Sequence, residues 1–183
     1  MRSQVLLLSV LFLMSCSDLS KKNQIERIDA LQVSVDSIEV VSIENQIHDI
    51  EVLQNHIDEV QEILAECNDT VSLDFALLID EYKSTSEALI EYRDLNKIID
   101  TNVVLIQSSL NKLKEDITDA NGKRNEYDNY IEHESVKLDS LRVRLSRLVF
   151  VKTSILEGDA QYYPTLINEL NASSMEEGMN IDE

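Results

Sequence analysis

A heptad stripe between Phe75 and Ala120 restricts what this chain can fold into more than any other feature. Alternating steps of three and four residues from Phe75 land on Leu78, Tyr82, Thr85, Leu89, Tyr92, Asn96, Ile99, Val103, Ile106, Leu110, Leu113, Ile117 and Ala120. Twelve of these fourteen positions are apolar in a chain that is 43% hydrophobic, where chance would supply about six. Such a repeat keeps one helical edge facing partner helices along its whole length. With Phe75 at position a, Asn96 also falls at a, where a buried amide fixes register at some cost in stability.

The flanking sequence supplies partners. Ile25, Ile28, Leu31, Val35 and Ile38 follow the same spacing, and it resumes as Ile47, Ile50, Leu53, Ile57, Val60, Leu64 and Cys67. Between the runs, β-branched Val33, Val35, Val40, Val41 and Ile43 crowd together and the phase slips. A strand is the alternative there, but the helical periods on both sides favour one helix with a stammer. Cys67-Asn68-Asp69-Thr70 is the expected first turn, Asn68 ending one helix and Asp69 or Thr70 capping the next. Cys67 takes the last core-facing step as a small hydrophobe, with an intermolecular disulfide as the alternative.

Beyond it, Tyr127, Ile131, Leu138, Leu141, Leu145, Leu148 and Ile155 continue the stripe begun at Phe75. Asn121-Gly122 is a strong turn pair, yet the unbroken phase and a favourable Asp119–Lys123 spacing suit a continuous helix. A continuous helix would leave Leu138 to Val151 uncovered within the monomer, so a turn is the preferred reading. Gly158-Asp159 is expected to end the third helix, with Pro164 opening a short helix to Leu170 and a polar tail from Asn171. The expected fold is all-α, an elongated antiparallel coiled coil or three-helix bundle. Its helices are placed at about 24–67, 71–119 and 123–157, and residues 158–183 form a short helix and acidic tail. The first two helices would each run about 70 Å.

The formal charge is −19, and removing residues 1–15 makes it −20 because Arg2 is their only charged side chain. That surface repels nucleic acid and anionic headgroups. Two cysteines, Cys16 and Cys67, exclude a disulfide framework and a Cys-rich zinc site.

At the N-terminus a short region with one Arg precedes ten residues, Val5 to Met14, interrupted only by Ser9. The run is too short to span a bilayer, which needs about 20 apolar residues, and suits a secretory signal over residues 1–15. Leu13-Met14-Ser15-Cys16 resembles the lipobox of bacterial lipoproteins, although Met14 departs from the small residue usual there. The resemblance implies cleavage between Ser15 and Cys16, lipidation of the Cys16 sulfur and acylation (palmitate or similar) of its new amino terminus. Residues 16–23 would then be the lipidated Cys and its tether. Ser17 rather than Asp after the Cys resembles the outer-membrane-sorted pattern, which leaves the periplasmic or surface face open. The alternative is an ordinary signal peptide with an incidental Cys.

No sequence motif for catalysis, cofactor or metal stands above background. His48, His56 and His133 lack the spacing of a His-Glu-x-x-His site, and are expected on solvated faces. Glu59, Glu62 and Glu66 lie in helical sequence without the oxygen-rich loop calcium needs. Tyr82, Tyr92 and Tyr127 fall on the stripe as core residues with hydroxyls at its edge. The function expected is a non-enzymatic envelope lipoprotein: a spacer or interaction module. It would be held to the membrane through Cys16 and act on an envelope protein or on itself through helix faces. A periplasmic holdase is the alternative.

Overall fold

The computed structural model describes residues 2–66, 72–121 and 124–179, with side chains from 19–65, 72–121 and 126–172. Four helices, α1 (Arg2–Glu44), α2 (Ile50–Glu66), α3 (Leu73–Asp119) and α4 (Arg124–Met179), account for almost all of them, and no strand occurs among the described residues. The all-α expectation holds. The chain forms two compact units: the first takes α1, α3 from Ile98 and α4 to Leu145, the second α2, α3 to Lys97 and α4 from Ser146.

In the first unit α1 and α3 are antiparallel. Lys21 Nζ donates to the Thr118 carbonyl at 2.8 Å, Lys114 Nζ to Asp29 at 2.5 Å, Gln32 Nε2 to Asn111 at 2.6 Å, and Gln107 Nε2 to Asp36 and Glu39 at 3.2 Å. The opposite runs of numbers fix the direction. α4 returns along α3, with Tyr127 Oη donating to the Asp116 carbonyl at 3.1 Å and Ser109 Oγ to Glu134 at 2.9 Å. Ile28, Val35, Ile38, Ile99, Val103, Ile106, Leu110, Ile117, Ile131, Leu138 and Leu141 are buried between them.

The second unit is built around Tyr82, Leu89 and Tyr92 of α3, Leu53, Ile57 and Val60 of α2, and Leu148, Val151, Ile155, Leu166 and Leu170 of α4. Arg147 closes a two-pronged ion pair on Glu91, Nε to Oε1 at 2.7 Å and Nη2 to Oε2 at 2.8 Å, and the same guanidinium lies over the Phe150 ring. Those charge-assisted bonds hold the Glu91 carboxyl below the ordinary carboxylate range.

The stammer expected near residue 43 is instead a full break. α1 stops at Glu44 and α2 starts at Ile50, with Val52 and Leu53 amides donating to the Asp49 carbonyl. Tyr92, 1% exposed, staples that break from α3. Its hydroxyl donates to the Asn45 carbonyl and accepts from the Ile47 amide, both at 2.9 Å. Two backbone groups released by the break are satisfied by one side chain, so the interruption costs little.

At the start of α3 the cap is Ser72, whose Oγ accepts from the Phe75 amide at 3.2 Å, rather than Asp69 or Thr70. Those two, with Cys67 and Asn68, lie outside the described residues. The expected end of the helix after Asp119 is present, with α4 starting at Arg124: Ala120 takes φ 56°, and the Asn121 amide donates to the Asp116 carbonyl at 3.0 Å, while Gly122 and Lys123 lie outside the described residues. This six-to-one bond over a left-handed residue is a Schellman ending.

Past residue 157 the expectation fails. α4 runs through Gly158, Asp159 and Pro164 to Met179, so neither a helix end at Gly158 nor a separate short helix is seen, and the backbone stays helical to residue 179. Pro164 removes one donor and crowds the carbonyl four residues back, but buried Leu166 and Leu170 on the following turns carry the helix on. Likewise α1 is helical through residues 16–23, where a tether was expected.

Ala120 pays for its positive φ, a conformation that costs an L-residue roughly 1–2 kcal/mol and glycine almost nothing. Ala120→Gly should therefore stabilise the chain by about 0.5–1 kcal/mol, less the extra entropy glycine gives the unfolded chain. Urea denaturation followed by circular dichroism measures it, and a lower midpoint for the variant would contradict the assignment of the turn.

Candidate functional site

Three helices of the second unit converge on Asp159, whose side chain is 13% exposed. Gly158 makes that approach possible, because a Cβ there would collide with Thr85 Oγ1, and Thr85 is itself buried. One helical step earlier on α3, Tyr82 Oη donates to Asp159 Oδ1 at 3.0 Å. From α2, His56 Nδ1 lies 3.0 Å from Oδ2 and 3.1 Å from Oδ1.

The next turn of each helix repeats the link. Tyr163, four residues beyond Asp159, stacks flat on the His56 ring, with centroids 3.7 Å apart and planes 8° from parallel. Its hydroxyl donates to Glu59 Oε2 at 2.6 Å, and Glu59 lies three residues beyond His56. A same-face pair on α2 therefore meets a same-face pair on α4, with Tyr82 from α3 completing the cluster. Tyr82 and Tyr163 rings are 6.3 Å apart.

Chemically, Asp159 binds one nitrogen of the imidazole and thereby fixes its orientation and tautomer, the role a carboxylate plays behind a catalytic base. Among the described residues, no hydroxyl or thiol bonds to that imidazole, and Asp159 spends its remaining capacity on Tyr82. What the geometry does is close a clasp: two carboxylates, two phenols and an imidazole satisfy one another where an apolar seam would otherwise be interrupted.

Both phenols are shifted upward. Burial is the main cause at Tyr82, followed by the charge of Asp159 and the hydrogen bond to it, and the shift is far above the ordinary tyrosine range. Tyr163 is pushed up to about 12, chiefly by its hydrogen bond to Glu59 and then by burial.

The first unit holds a second polar interruption. Glu134 is 5% exposed on the α4 stripe, where Ser109 Oγ and Lys137 Nζ bind its Oε1 at 2.9 and 2.8 Å. Its Oε2 and the Ser42 Oγ are buried without a hydrogen-bond partner, as is Asn96 Oδ1 in the second unit. Asn96 was expected as a buried amide but is only half-buried, and neighbouring Leu95 is the buried residue there.

His48 and His133 are exposed as expected, but His56 is not: its place in the clasp corrects the reading of all three histidines as solvated. Tyr82, Tyr92 and Tyr127 are core residues with bonded hydroxyls. Ser15 and Cys16 lie outside the residues whose side chains are described. No three His, Cys, Asp or Glu side chains gather as a metal would need, among the described residues. No helix there is long and apolar enough to cross a membrane. The clasp was hidden because its α2 and α4 members lie about a hundred positions apart, and only the α2–α4 register brings them together. The paired spacings His56/Glu59 and Asp159/Tyr163 were the only local hint.

No protein family, no curated protein and no solved structure matches this chain.

The raised phenols set a sign for pH dependence. Unfolded tyrosine titrates near 10, so the stability linked to Tyr163 is fully present below that pH and is lost as pH rises through about 12. Tyrosinate absorbance at 295 nm should therefore lag in the native protein behind the denatured chain between roughly pH 10 and 12. Tyr163→Phe should shrink the lag. Superimposable native and denatured curves would contradict the clasp.

Proposed function

We propose that this chain is a lipid-anchored bacterial envelope protein whose helical body serves as a non-enzymatic spacer or protein-interaction module. The observation carrying the reading is Leu13-Met14-Ser15-Cys16 directly after the apolar run Val5 to Met14. Buried acyl chains contribute about 0.8 kcal/mol per methylene, so the two or three chains of a lipoprotein hold it to a bilayer essentially permanently. The body supports the same reading. Its buried apolar side chains form interhelical seams, and its excess of carboxylates keeps nucleic acid and anionic headgroups away. Such a body works by presenting helix faces from an anchored base.

Labelled palmitate fed to a bacterial host expressing the full chain should enter the protein, and Cys16→Ala should abolish incorporation. Inhibition of the lipoprotein signal peptidase should leave the precursor unprocessed. A mature chain with a free thiol at Cys16, or one released by salt alone, would contradict the proposal.

A further inference from the structure

Beside the clasp, a cavity of about 230 Å³ opens between α2 and α3 of the second unit. Ile57, Val60 and Leu64 form one wall, and Ile79 and Tyr82 the other. The Tyr82 ring is a fixed part of that wall, because its hydroxyl is tied to Asp159 and the same carboxylate binds His56. Gln61, Lys83 and Ser86 complete the lining with polar groups. Lys83 is the one cation among these residues, and it makes no ion pair among the described residues.

Those features define an occupant. A cavity of ~150 Å³ walled by aliphatic side chains holds benzene, so this one takes an unbranched chain of about eight carbons by the same scaling. The Lys83 ammonium favours a negative head, and Gln61 and Ser86 offer hydrogen-bond donors to it. We infer that the α2–α3 cavity is a binding site for a single-chain anionic amphiphile, a medium-chain aliphatic carboxylate, with the tail against Ile57, Val60, Leu64 and Ile79 and the head on Lys83. The net charge of −19 opposes such a ligand at long range. At physiological salt that field is screened beyond about 8 Å, so the contact at Lys83 decides local preference.

The test uses the full chain and octanoate, in physiological salt and below the micellar range. Methyl chemical shifts of Ile57, Val60, Leu64 and Ile79 should move saturably to one-to-one binding, and butanoate should bind more weakly. Octyltrimethylammonium, with the same tail and opposite charge, should also bind more weakly. Lys83→Gln should weaken octanoate about three- to fivefold, the scale of a solvent-accessible ion pair. Lys83→Glu should invert the preference between the two heads. Ser86→Phe should fill the cavity from its polar side and abolish the shifts while helicity by circular dichroism is unchanged. The inference is overturned if the shifts do not saturate, if the cation binds as well as octanoate, or if Lys83→Glu leaves the preference intact.

Discussion

The row of side chains from Tyr82 to Ile117 on α3 has to be covered, and two different helices cover it. Burying a large aliphatic or aromatic side chain contributes roughly 1.5–3 kcal/mol. Ten apolar residues on this one helix are buried: Tyr82, Leu89, Tyr92, Leu95, Ile99, Val103, Ile106, Leu110, Leu113 and Ile117. No surface ion pair competes with that, since exposed pairs such as Arg27–Asp128 contribute at most about 1 kcal/mol. In the first unit the cover is α1, in the second α2, and α4 supplies the third side of each. The break at Asn45–Asp49 follows, because a helix changing its role along α3 is interrupted where Tyr92 can take up the released backbone groups.

Polar residues placed inside the seams specify rather than strengthen. Thr85, Glu134 and Ser42 occupy buried positions that apolar side chains would fill at lower cost. Two of them are tolerable in one alignment of the helices: Glu134 where Ser109 reaches it, Thr85 where it faces a residue without a side chain. Asp159 works similarly, meeting its partners only when α2 and α4 are in this register. A uniformly apolar stripe would let the helices slide by a heptad, and these groups penalise the slip.

Periodicity alone made much of this legible. Ile28, Val35, Ile38, Leu53, Ile57 and Val60, the α3 row apart from Leu95, and Tyr127, Ile131, Leu138, Leu141, Leu148 and Ile155 are buried as their spacing implied. The turn after Asp119 was legible because the apolar stretch beyond Leu138 had nothing else to cover it. Local signals misled where tertiary packing overrides them. Gly158 looks like a stop but is a close-contact residue inside α4, Pro164 looks like a start but is carried by Leu166 and Leu170, and the phase slip near Ile43 is a break between two helices at Asn45–Asp49. The clasp was beyond reach, since which carboxylate meets His56 depends on the register of helices that touch far apart in sequence.

Both units depend on the chain doubling back after Asp119, so that α4 covers α3 within one molecule. The most direct measurement replaces Cys16 and Cys67 by Ser, places cysteines at positions 109 and 134, and treats dilute protein with a short bifunctional thiol reagent. Ser109 and Glu134 are in hydrogen-bond contact across the two helices, so the link should form inside the monomer, at a rate independent of protein concentration. A helix running straight through residues 119–124 would hold those positions about 37 Å apart. Covalent dimers alone, with a yield that rises with concentration, would contradict the account.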